Sequence, residues 1–366
     1  MNDKELVSFT KRLLELQSFD REKSKVPQFI FDTLEEYGAE PKVLERAGIK
    51  NIVALTSQEK GVVFNGHWDT VLPTEEYNRE ILPVTTVGGY IQGLGASDMK
   101  SGVAAQCAAF IECLKREIPG VVLSVVGDEE LGGENGTSLL IENGYFAPYV
   151  ILGEPTNLKL SLGQKGGMHV KVTSRGKLAH GAYPHRGENA ILNMYNFFHK
   201  LLDLYPLPAG DADNGEVFLM TTASIGTIEG GASSNVVPDR CEATIDIRVP
   251  PHVTFDEVEQ ALHKIAGEAG AEVESGFLGH GWQLDKASRI YEVSKEAVEV
   301  VTGKEVAFVQ KLGTNDGKYY AYRGAQITNI GPGDNRFSHT MREQVSITYL
   351  TMARDIYVRM AQLLSS

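Results

Sequence analysis

The sequence has few cysteines and no long apolar run. Its 366 residues include three cysteines, Cys107, Cys113 and Cys241, with no CxxC pair among them. Three isolated cysteines give no disulfide framework, which is typical of proteins in a reducing environment. The N-terminus lacks the basic start and apolar core of a signal peptide, and no run of about 18 apolar residues is available to span a bilayer. We therefore expect a cytoplasmic protein that does not associate with membranes.

The sequence also has fewer basic than acidic residues. The chain carries 48 Asp and Glu residues against 35 Lys and Arg residues, for a net charge of −13. A surface this acidic repels nucleic acid and anionic lipid, so neither is expected as a partner. Hydrophobic residues make up 42% of the chain, an ordinary share for a globular protein, and the length suffices for two domains.

The order of the helix and strand patterns predicts one domain inserted into another. Helical and strand patterns alternate up to about residue 165, as in a largely parallel sheet, with helices predicted at residues 28–37 and 103–114. The parallel pattern resumes after about residue 278. We expect an α/β fold whose main domain, residues 1–167 and 279–366, has a mostly parallel sheet with helices on both faces.

The intervening residues 168–278 are predicted to form a small α+β domain. A helix is predicted at residues 189–204, and Thr254 with Glu257 forms a capping-box pattern that opens a second helix. The predicted strands are residues 168–173, 219–228 and 243–249. The apolar spacing of the first helix predicts one buried face, formed by Ile191, Leu192, Tyr195, Phe198 and Leu202.

A histidine and an aspartate follow the apolar run at residues 61–66. Such a run predicts a buried strand, and this strand delivers His67 and Asp69. Two residues apart in an extended chain, an imidazole and a carboxylate lie on the same face. A carboxylate beside a metal-bound imidazole fixes its tautomer and raises its basicity. The motif is short, and alone it describes equally well a histidine and an aspartate that share a turn.

The same arrangement recurs at other predicted strand ends. Acidic residues follow the apolar runs 121–126 and 149–152, and His339 comes soon after a third run at 327–330. Asp98 lies in a glycine-rich loop before a helical stretch. Ligands of open α/β sheets bind at the carboxyl ends of strands, and two histidines with several carboxylates have the composition of a metal site.

These motifs, taken in order, resemble those of a family of dizinc amidohydrolases and exopeptidases. The family includes acetylornithine deacetylase, succinyl-diaminopimelate desuccinylase, aminoacylase and the bacterial glutamate carboxypeptidases. The resemblance covers nearly the whole chain, and the order of the set makes it specific. The motifs are residues 66–71 (GHWDTV), 93–102 (GLGASDMKSG), 128–130 (DEE) with 136–137 (GT), 154–156 (EPT), 176–181 (GKLAHG) and 234–238 (SNVVP).

The resemblance implies a role for each of these residues. His67 and Glu154 would hold one zinc ion, Glu130 and His339 the other, and Asp98 would bridge the two. Cobalt or manganese could replace zinc, because availability also determines which metal a site holds.

Further roles implied by the resemblance concern catalysis and substrate binding. Glu129 would be the general base, Asp69 would support His67, and His180 would donate to the oxyanion from the partner subunit of a dimer. The implied substrate-binding residues are Asn235, Arg248, Gly313 and Thr314. The inserted domain would serve as lid and dimerisation domain, and Trp68 is expected to shape the mouth of the pocket.

The expected function is that of a homodimeric, metal-dependent hydrolase that cleaves the amide bond of an N-acyl amino acid. A metallo-exopeptidase acting on dipeptides or on a C-terminal residue is an alternative, because amide and peptide bonds require the same chemistry. A non-catalytic metal-binding protein is a second alternative. The presence of Glu129 beside Glu130 argues against it, since a protein that only binds metal needs no general base.

Overall fold

The computed structural model describes residues 1–71, 83–209 and 214–365. The chain divides into two compact units. The first unit consists of Met1–Gly163, Leu284–Val309 and Asn315–Ser366, and the second of Gln164–Gln283 and Gln310–Thr314. Within the described ranges, no helix combines the length and the apolar character that crossing a membrane requires.

Helices and strands alternate through most of the chain. The helices are α1 (Asp3–Glu15), α2 (Val26–Glu36), α3 (Lys100–Lys115), α4 (Thr137–Glu142), α5 (Ala190–Leu204), α6 (Asn214–Phe218), α7 (Phe255–Ala269), α8 (Arg289–Thr302), α9 (Gly317–Tyr322) and α10 (Ile347–Leu364). The strands are β1 (Lys42–Arg46), β2 (Ile49–Leu55), β3 (Val62–His67), β4 (Thr85–Val87), β5 (Tyr90–Gln92), β6 (Val121–Val126), β7 (Tyr149–Leu152), β8 (Leu160–Gln164), β9 (Gly166–Arg175), β10 (Ala179–His180), β11 (Thr222–Gly230), β12 (Val236–Val237), β13 (Arg240–Val249), β14 (Ala271–Gly279), β15 (Trp282–Gln283), β16 (Phe308–Lys311), β17 (Gln326–Asn329) and β18 (Gln344–Ser346).

The first unit is built on a mixed sheet with the strand order β1-β2-β6-β3-β7-β17 among the described residues. Strands β6, β3, β7 and β17 are mutually parallel, whereas β1 and β2 add antiparallel strands at one edge. Every residue of β3 and β6 is buried, as expected for strands covered on both faces. The prediction of an α/β fold with an inserted α+β domain is confirmed.

Helix α3 packs closely against the carboxyl ends of two central strands, β3 and β7. A Cβ atom on Gly102 would collide with the carbonyl oxygen of Gly153, so only glycine permits this approach. Gln106 then donates hydrogen bonds to the carbonyl oxygens of Asn65 and Ile151, at 2.9 and 3.1 Å. The start of α3 is thereby fixed beside the strand ends, immediately after Asp98.

The second unit contains a four-stranded antiparallel sheet in the order β11-β13-β9-β14. Helices α5 and α7 supply the remaining side chains of its hydrophobic core, among them Phe197 and Leu262. The predicted capping box at the start of α7 is present, with Thr254 accepting from the backbone of Glu257 and the Glu257 side chain accepting from the backbone of Thr254.

The prediction for the buried face of α5 is wrong. The buried side chains are those of Ala190, Met194, Phe197 and Leu201. Of the residues predicted to be buried, Ile191, Leu192, Tyr195 and Leu202 are exposed, and Phe198 is partly buried against the core. The helix has two apolar faces, so periodicity alone could not indicate which of them contacts the sheet.

The expectation that Trp68 shapes a pocket mouth is also wrong. Its side chain is fully buried, and its indole Nε1 donates to the carbonyl oxygen of Lys50 at 3.0 Å. The ring packs against Gly127, where a Cβ atom would collide with it. Trp68 is therefore a core residue beneath the end of strand β6.

Candidate metal centre

The carboxyl ends of the parallel strands bring acidic and histidine side chains to one edge of the main sheet. His67 is the last residue of β3, Glu130 lies in a 3-10 turn after β6, and Glu154 follows β7 by two residues. Asp98 precedes α3, and His339 lies in the loop between β17 and β18. Four of these five residues thus lie at or near a strand or helix end, as is usual for ligand sites in such sheets, whereas His339 lies within a longer loop.

The carboxylate of Asp98 lies between the two histidines. Its Oδ1 atom is 3.2 Å from Nε2 of His67, and its Oδ2 atom is 3.7 Å from Nε2 of His339. Each imidazole therefore approaches a different oxygen of the same carboxylate. This placement would allow the Asp98 carboxylate to be shared by two cations, one beside each histidine.

Each histidine has a second carboxylate beside it. Oε1 of Glu154 is 3.9 Å from Nε2 of His67, and Oε1 of Glu130 is 3.1 Å from Nε2 of His339. Candidate ligand atoms of His67, Asp98 and Glu130 lie within 4.8 Å of one another. The five residues thus form two groups, His67 with Glu154 and His339 with Glu130, that share Asp98.

The two groups differ in their exposure. The side chain of His67 is 2% exposed, whereas that of His339 is 50% exposed. His67 comes from a buried central strand, while His339 lies on a loop. The geometry of the His339 group therefore depends on whatever holds this loop.

The surrounding carboxylates shift the pKa values of both imidazoles upward. Burial alone would lower the pKa of His67, but the close carboxylates of Asp69 and Asp98 outweigh it and raise that pKa well above its usual value. The hydrogen bond to Glu130 raises the pKa of His339 to about 9, against a smaller opposing effect of burial. The cluster thus has a large excess of negative charge, which attracts cations.

The residues present fit a pair of divalent cations. Imidazole nitrogens and carboxylate oxygens are ligands that zinc accepts, and cobalt and manganese accept them too. A ligating imidazole must be neutral, so a bound ion would take the place of the protons that the carboxylates now favour. The assignment of the five residues as metal ligands stays a prediction.

Glu129 lies in the same turn as Glu130. Burial raises the pKa of Glu129 well above its usual range; His67 opposes this effect, and the negative charges of Glu154 and Asp316 add to it. The turn is held by Asp128, whose Oδ2 accepts from the backbone N–H of Asn135 at 2.7 Å. A carboxylate whose pKa is raised accepts a proton more readily than an ordinary carboxylate does, as a general base must.

The predicted role of Asp69 beside His67 involves its backbone as well as its side chain. Nδ1 of His67 is 2.9 Å from the carbonyl oxygen of Asp69 and 3.4 Å from its carboxylate Oδ1. The other carboxylate oxygen binds Arg21, at 2.9 Å from Nε and 2.8 Å from Nη2. With Nδ1 engaged in this way, Nε2 of His67 is the nitrogen that faces Asp98 and Glu154.

Two residues of this site were not predicted from the sequence, Arg21 and Glu343. Arg21 pairs with Asp69, and buried Glu343 accepts hydrogen bonds from the backbone around Asp98 and His339. No motif marks Arg21. Glu343 follows His339 by four residues, which is the only signal of it that the sequence offers.

His180 and Asn235 belong to the second unit and lie on neighbouring short strands or their flanks. Strand β10 pairs with β12, and the N–H of Gly181 donates to the carbonyl oxygen of Asn235 at 2.7 Å. Nδ1 of exposed His180 accepts from the backbone N–H of Ala182 at 3.0 Å. A neutral imidazole with Nδ1 as acceptor carries its proton on Nε2, which can then act as a donor.

Arg248 and Thr314 are in contact within the second unit. Nη1 of Arg248 donates to Oγ1 of Thr314 at 3.3 Å, and that hydroxyl donates to the carbonyl oxygen of Lys165 at 3.0 Å. Asp246 holds the guanidinium of Arg248 through two bonds of 2.7 and 2.8 Å. Gly313 precedes Thr314 in the sequence. Substrate binding by these residues and by Asn235, like catalysis by His180, stays a prediction.

Comparisons with known proteins give one match to part of the chain and others to most or all of its length. Residues 162–274 match a family described as the peptidase dimerisation domain. The succinyl-diaminopimelate desuccinylase of Coxiella burnetii is 29% identical, over 99% of this chain and 100% of that protein. The succinyl-diaminopimelate desuccinylase of Paracoccus denitrificans is 31% identical over 73% of each chain.

The fold is that of solved metallopeptidases. An M20 family metallo-carboxypeptidase from Sulfolobus solfataricus superposes with a TM-score of 0.80 at 18% sequence identity. The superposition covers 100% of both chains. The likeness of fold therefore extends over the full length of both chains.

Proposed function

We propose that this chain, which belongs to the M20 family of metal-dependent amidohydrolases and exopeptidases, removes the acyl group from an N-acyl amino acid. It is an enzyme that hydrolyses linear amide or peptide bonds, as its desuccinylase relatives indicate. The observation that carries the proposal is the carboxylate of Asp98 between His67 and His339, with Glu129 in the adjoining turn.

The proposed metal ligands are His67 and Glu154 for one ion and Glu130 and His339 for the other, with Asp98 between them. When bound, two divalent ions supply a Lewis acid for the scissile carbonyl and lower the pKa of water. Zinc is proposed for both positions because the donor set consists of imidazoles and carboxylates. The separation of two binding groups along one edge of the sheet supports a pair of ions over a single one.

Glu129 is proposed as the general base. Its raised pKa allows its carboxylate to take a proton from the attacking water and to hold it. The proton is then returned to the nitrogen of the leaving amine as the amide bond breaks. Glu130 is directed to His339 instead, so the two adjacent glutamates serve different partners.

The substrate's carboxylate is proposed to bind at Arg248 and Thr314. Asp246 orients the guanidinium, and one of its nitrogens already contacts the Thr314 hydroxyl. An N-acyl amino acid and a dipeptide both carry such a carboxylate, so this contact serves the amidohydrolase and the exopeptidase alike. Gly313 and Asn235 are proposed to contact the same substrate.

A homodimer formed through the second unit is part of the proposal. Leu192 and Tyr195 on α5 are 59% and 63% exposed, and Ile228 on β11 is 56% exposed. Strand β11 is also the edge of its sheet, exposed from residue 224 to residue 230. An apolar helix face beside a free strand edge favours association with a second copy, and the match to a peptidase dimerisation domain supports this assignment.

His180 is proposed to act in the active site of the partner subunit, where it would donate to the developing oxyanion. Chains carrying His180→Ala and chains carrying Glu129→Gln would each be inactive alone. After subunit exchange, one site of each mixed dimer would have both groups, so part of the activity should return. No recovery after verified exchange would exclude this role in the partner's site.

The dimer itself is tested by Tyr195→Lys, which places a charge on the exposed face of α5. Sedimentation should give a dimer for the parent and a monomer for the variant. Lys264→Glu, at an exposed position on α7, is the control and should remain dimeric. A dimeric Tyr195→Lys variant would remove α5 from the proposed interface.

The reaction is tested with a substrate panel of N-succinyl, N-acetyl and N-formyl amino acids beside dipeptides. Hydrolysis of an acyl amino acid with kcat/KM at least tenfold above that for any dipeptide supports the amidohydrolase. The reverse preference would identify an exopeptidase, and the absence of any hydrolysis by the metal-loaded protein would favour a non-catalytic metal-binding protein.

A cytoplasmic location is also proposed. All three cysteines are buried and unpaired, which is typical of proteins in a reducing compartment.

A further inference from the structure

We propose that Glu343 is a positioning residue that joins the loop carrying Asp98 to the loop carrying His339. Its side chain is 2% exposed and makes hydrogen bonds to both loops. The inference rests on the proposed metal centre and adds a residue that none of the implied roles includes. Glu343 would act through the backbone of the two ligands.

The two carboxylate oxygens of Glu343 bind different loops. Oε2 accepts from the backbone N–H groups of Ser97 and Asp98, at 3.1 and 3.3 Å. Oε1 accepts from the backbone N–H of His339 at 3.2 Å. One buried carboxylate thus connects the backbone of the bridging ligand to the backbone of the histidine ligand.

The backbone of His339 needs such a restraint. Its φ angle is +59°, in the left-handed region that residues other than glycine rarely adopt. Conformations of this kind persist only where the surroundings hold them. The backbone of His67 needs no equivalent restraint, because it lies within a buried central strand. Loss of Glu343 should therefore weaken mainly the binding of the ion proposed to be held by His339 and Glu130.

A second link between the same loops lies farther from the ligands. Oγ of Ser97 donates to the carbonyl oxygen of Asp334 at 2.6 Å, and the N–H of Asp334 is 2.9 Å from that Oγ. This pair keeps the loops adjacent when Glu343 is changed. A substitution at Glu343 should thus loosen the ligand geometry without separating the loops.

Only a carboxylate of this length satisfies both loops. In Glu343→Gln, the one amide oxygen can accept hydrogen bonds from one loop only, either from Ser97 and Asp98 or from His339. The amide NH2 group then faces the backbone N–H of the other loop, and two donors cannot form a hydrogen bond. In Glu343→Asp, the carboxylate is shorter by one methylene and cannot reach both loops. Both variants keep a polar group at the position and remove the two-sided contact, and Glu343→Asp does so without removing the negative charge.

The test is a chelator competition that measures the affinity for each of two Zn²⁺ ions per chain. Glu343→Gln should bind the first ion nearly as the parent does and the second about 10–100-fold more weakly, the usual effect of losing a group that supports a ligand. Glu257→Gln is the control, because Glu257 also accepts a hydrogen bond from a backbone N–H, that of Thr254 at the start of α7 in the second unit. It should bind both ions like the parent.

The outcomes separate this inference from the proposed centre. A parent that binds two ions and a folded Glu343→Gln variant with unchanged affinity for both would overturn the role of Glu343 alone. A parent that never binds a second ion would overturn the centre and, with it, this role. If Glu343→Gln does not fold, Glu343→Asp takes its place, and unchanged affinities in that variant overturn the inference equally.

Discussion

Arg21 donates two hydrogen bonds to a single oxygen of Asp69, from Nε at 2.9 Å and from Nη2 at 2.8 Å. The Asp69 side chain is fully buried and that of Arg21 is 10% exposed. Arg21 thus compensates the negative charge of the Asp69 carboxylate, which lies beside His67. The Nδ1 atom of His67 is hydrogen-bonded to the backbone carbonyl oxygen of Asp69. The position of the first proposed ligand thus depends on a residue near the N-terminus.

Removing Arg21 should destabilise the protein strongly. In Arg21→Met the Asp69 carboxylate would remain buried without its partner, which costs about 3–5 kcal/mol in comparable pairs. Urea unfolding of the metal-free protein measures this change. Arg12→Met is the control, because Arg12 pairs with Glu15 on the surface and should contribute about 1 kcal/mol or less. Equal effects of the two substitutions would refute the account of the buried pair.

Substitution of either histidine should reduce the metal content. His67→Ala removes a ligand from the buried group, and His339→Ala removes one from the exposed group, so each variant should lose a different ion. Metal analysis after dialysis is expected to give about one ion per chain in each case. Two ions per chain in both variants would exclude the ligand set.

The substitution Asp69→Asn should have a smaller effect than the loss of either histidine. We expect a decrease of about 10–100-fold in metal affinity or in activity.

The stability of the second unit should depend on pH through Lys165. This lysine is buried, and its ammonium donates to the carbonyl oxygens of Val217 and Met220 and to the hydroxyl of Thr222. Burial lowers its pKa from 10.5 to about 8. Between these values the unfolded chain binds more protons than the folded one, so the free energy of unfolding should rise with pH from about 8 to about 10.5.

A comparison of two lysine variants isolates this contribution. Lys165→Met should remove the rise, whereas Lys264→Met, at an exposed position on α7, should keep it. Urea unfolding across the alkaline range is the measurement. A rise of equal size in both variants would show that Lys165 is not its source.

Most of the candidate ligands could be predicted from the sequence because they stand at or near the end of a regular element, with His339 on a loop as the exception. Apolar runs identify the buried strands, and the residue that follows such a run lies at the sheet edge where parallel strands end. His67 and Glu154 could be found in this way, as could the Glu129–Glu130 pair. Their convergence on Asp98 follows from the parallel order of β6, β3 and β7.

Contacts between distant segments could not be predicted from patterns. Arg21 meets Asp69 across 48 positions, and Glu343 meets Ser97 across 246. No periodic sequence pattern indicates either contact. The partners of Glu343 are backbone N–H groups, which are the same for almost every residue type and so cannot be recognised from the sequence. The buried face of α5 was mispredicted because the helix has an exposed apolar face as well as a buried one, and periodicity does not distinguish them.

The most direct test of the proposed mechanism compares metal content and turnover in Glu129→Gln. The substitution removes the proton acceptor and leaves all five proposed ligands in place. We expect about two ions per chain, as in the parent, and a loss of kcat on the order of 10²–10⁴-fold on the best substrate of the panel. Turnover near that of the parent at full metal content would contradict the account, because the base would then lie elsewhere.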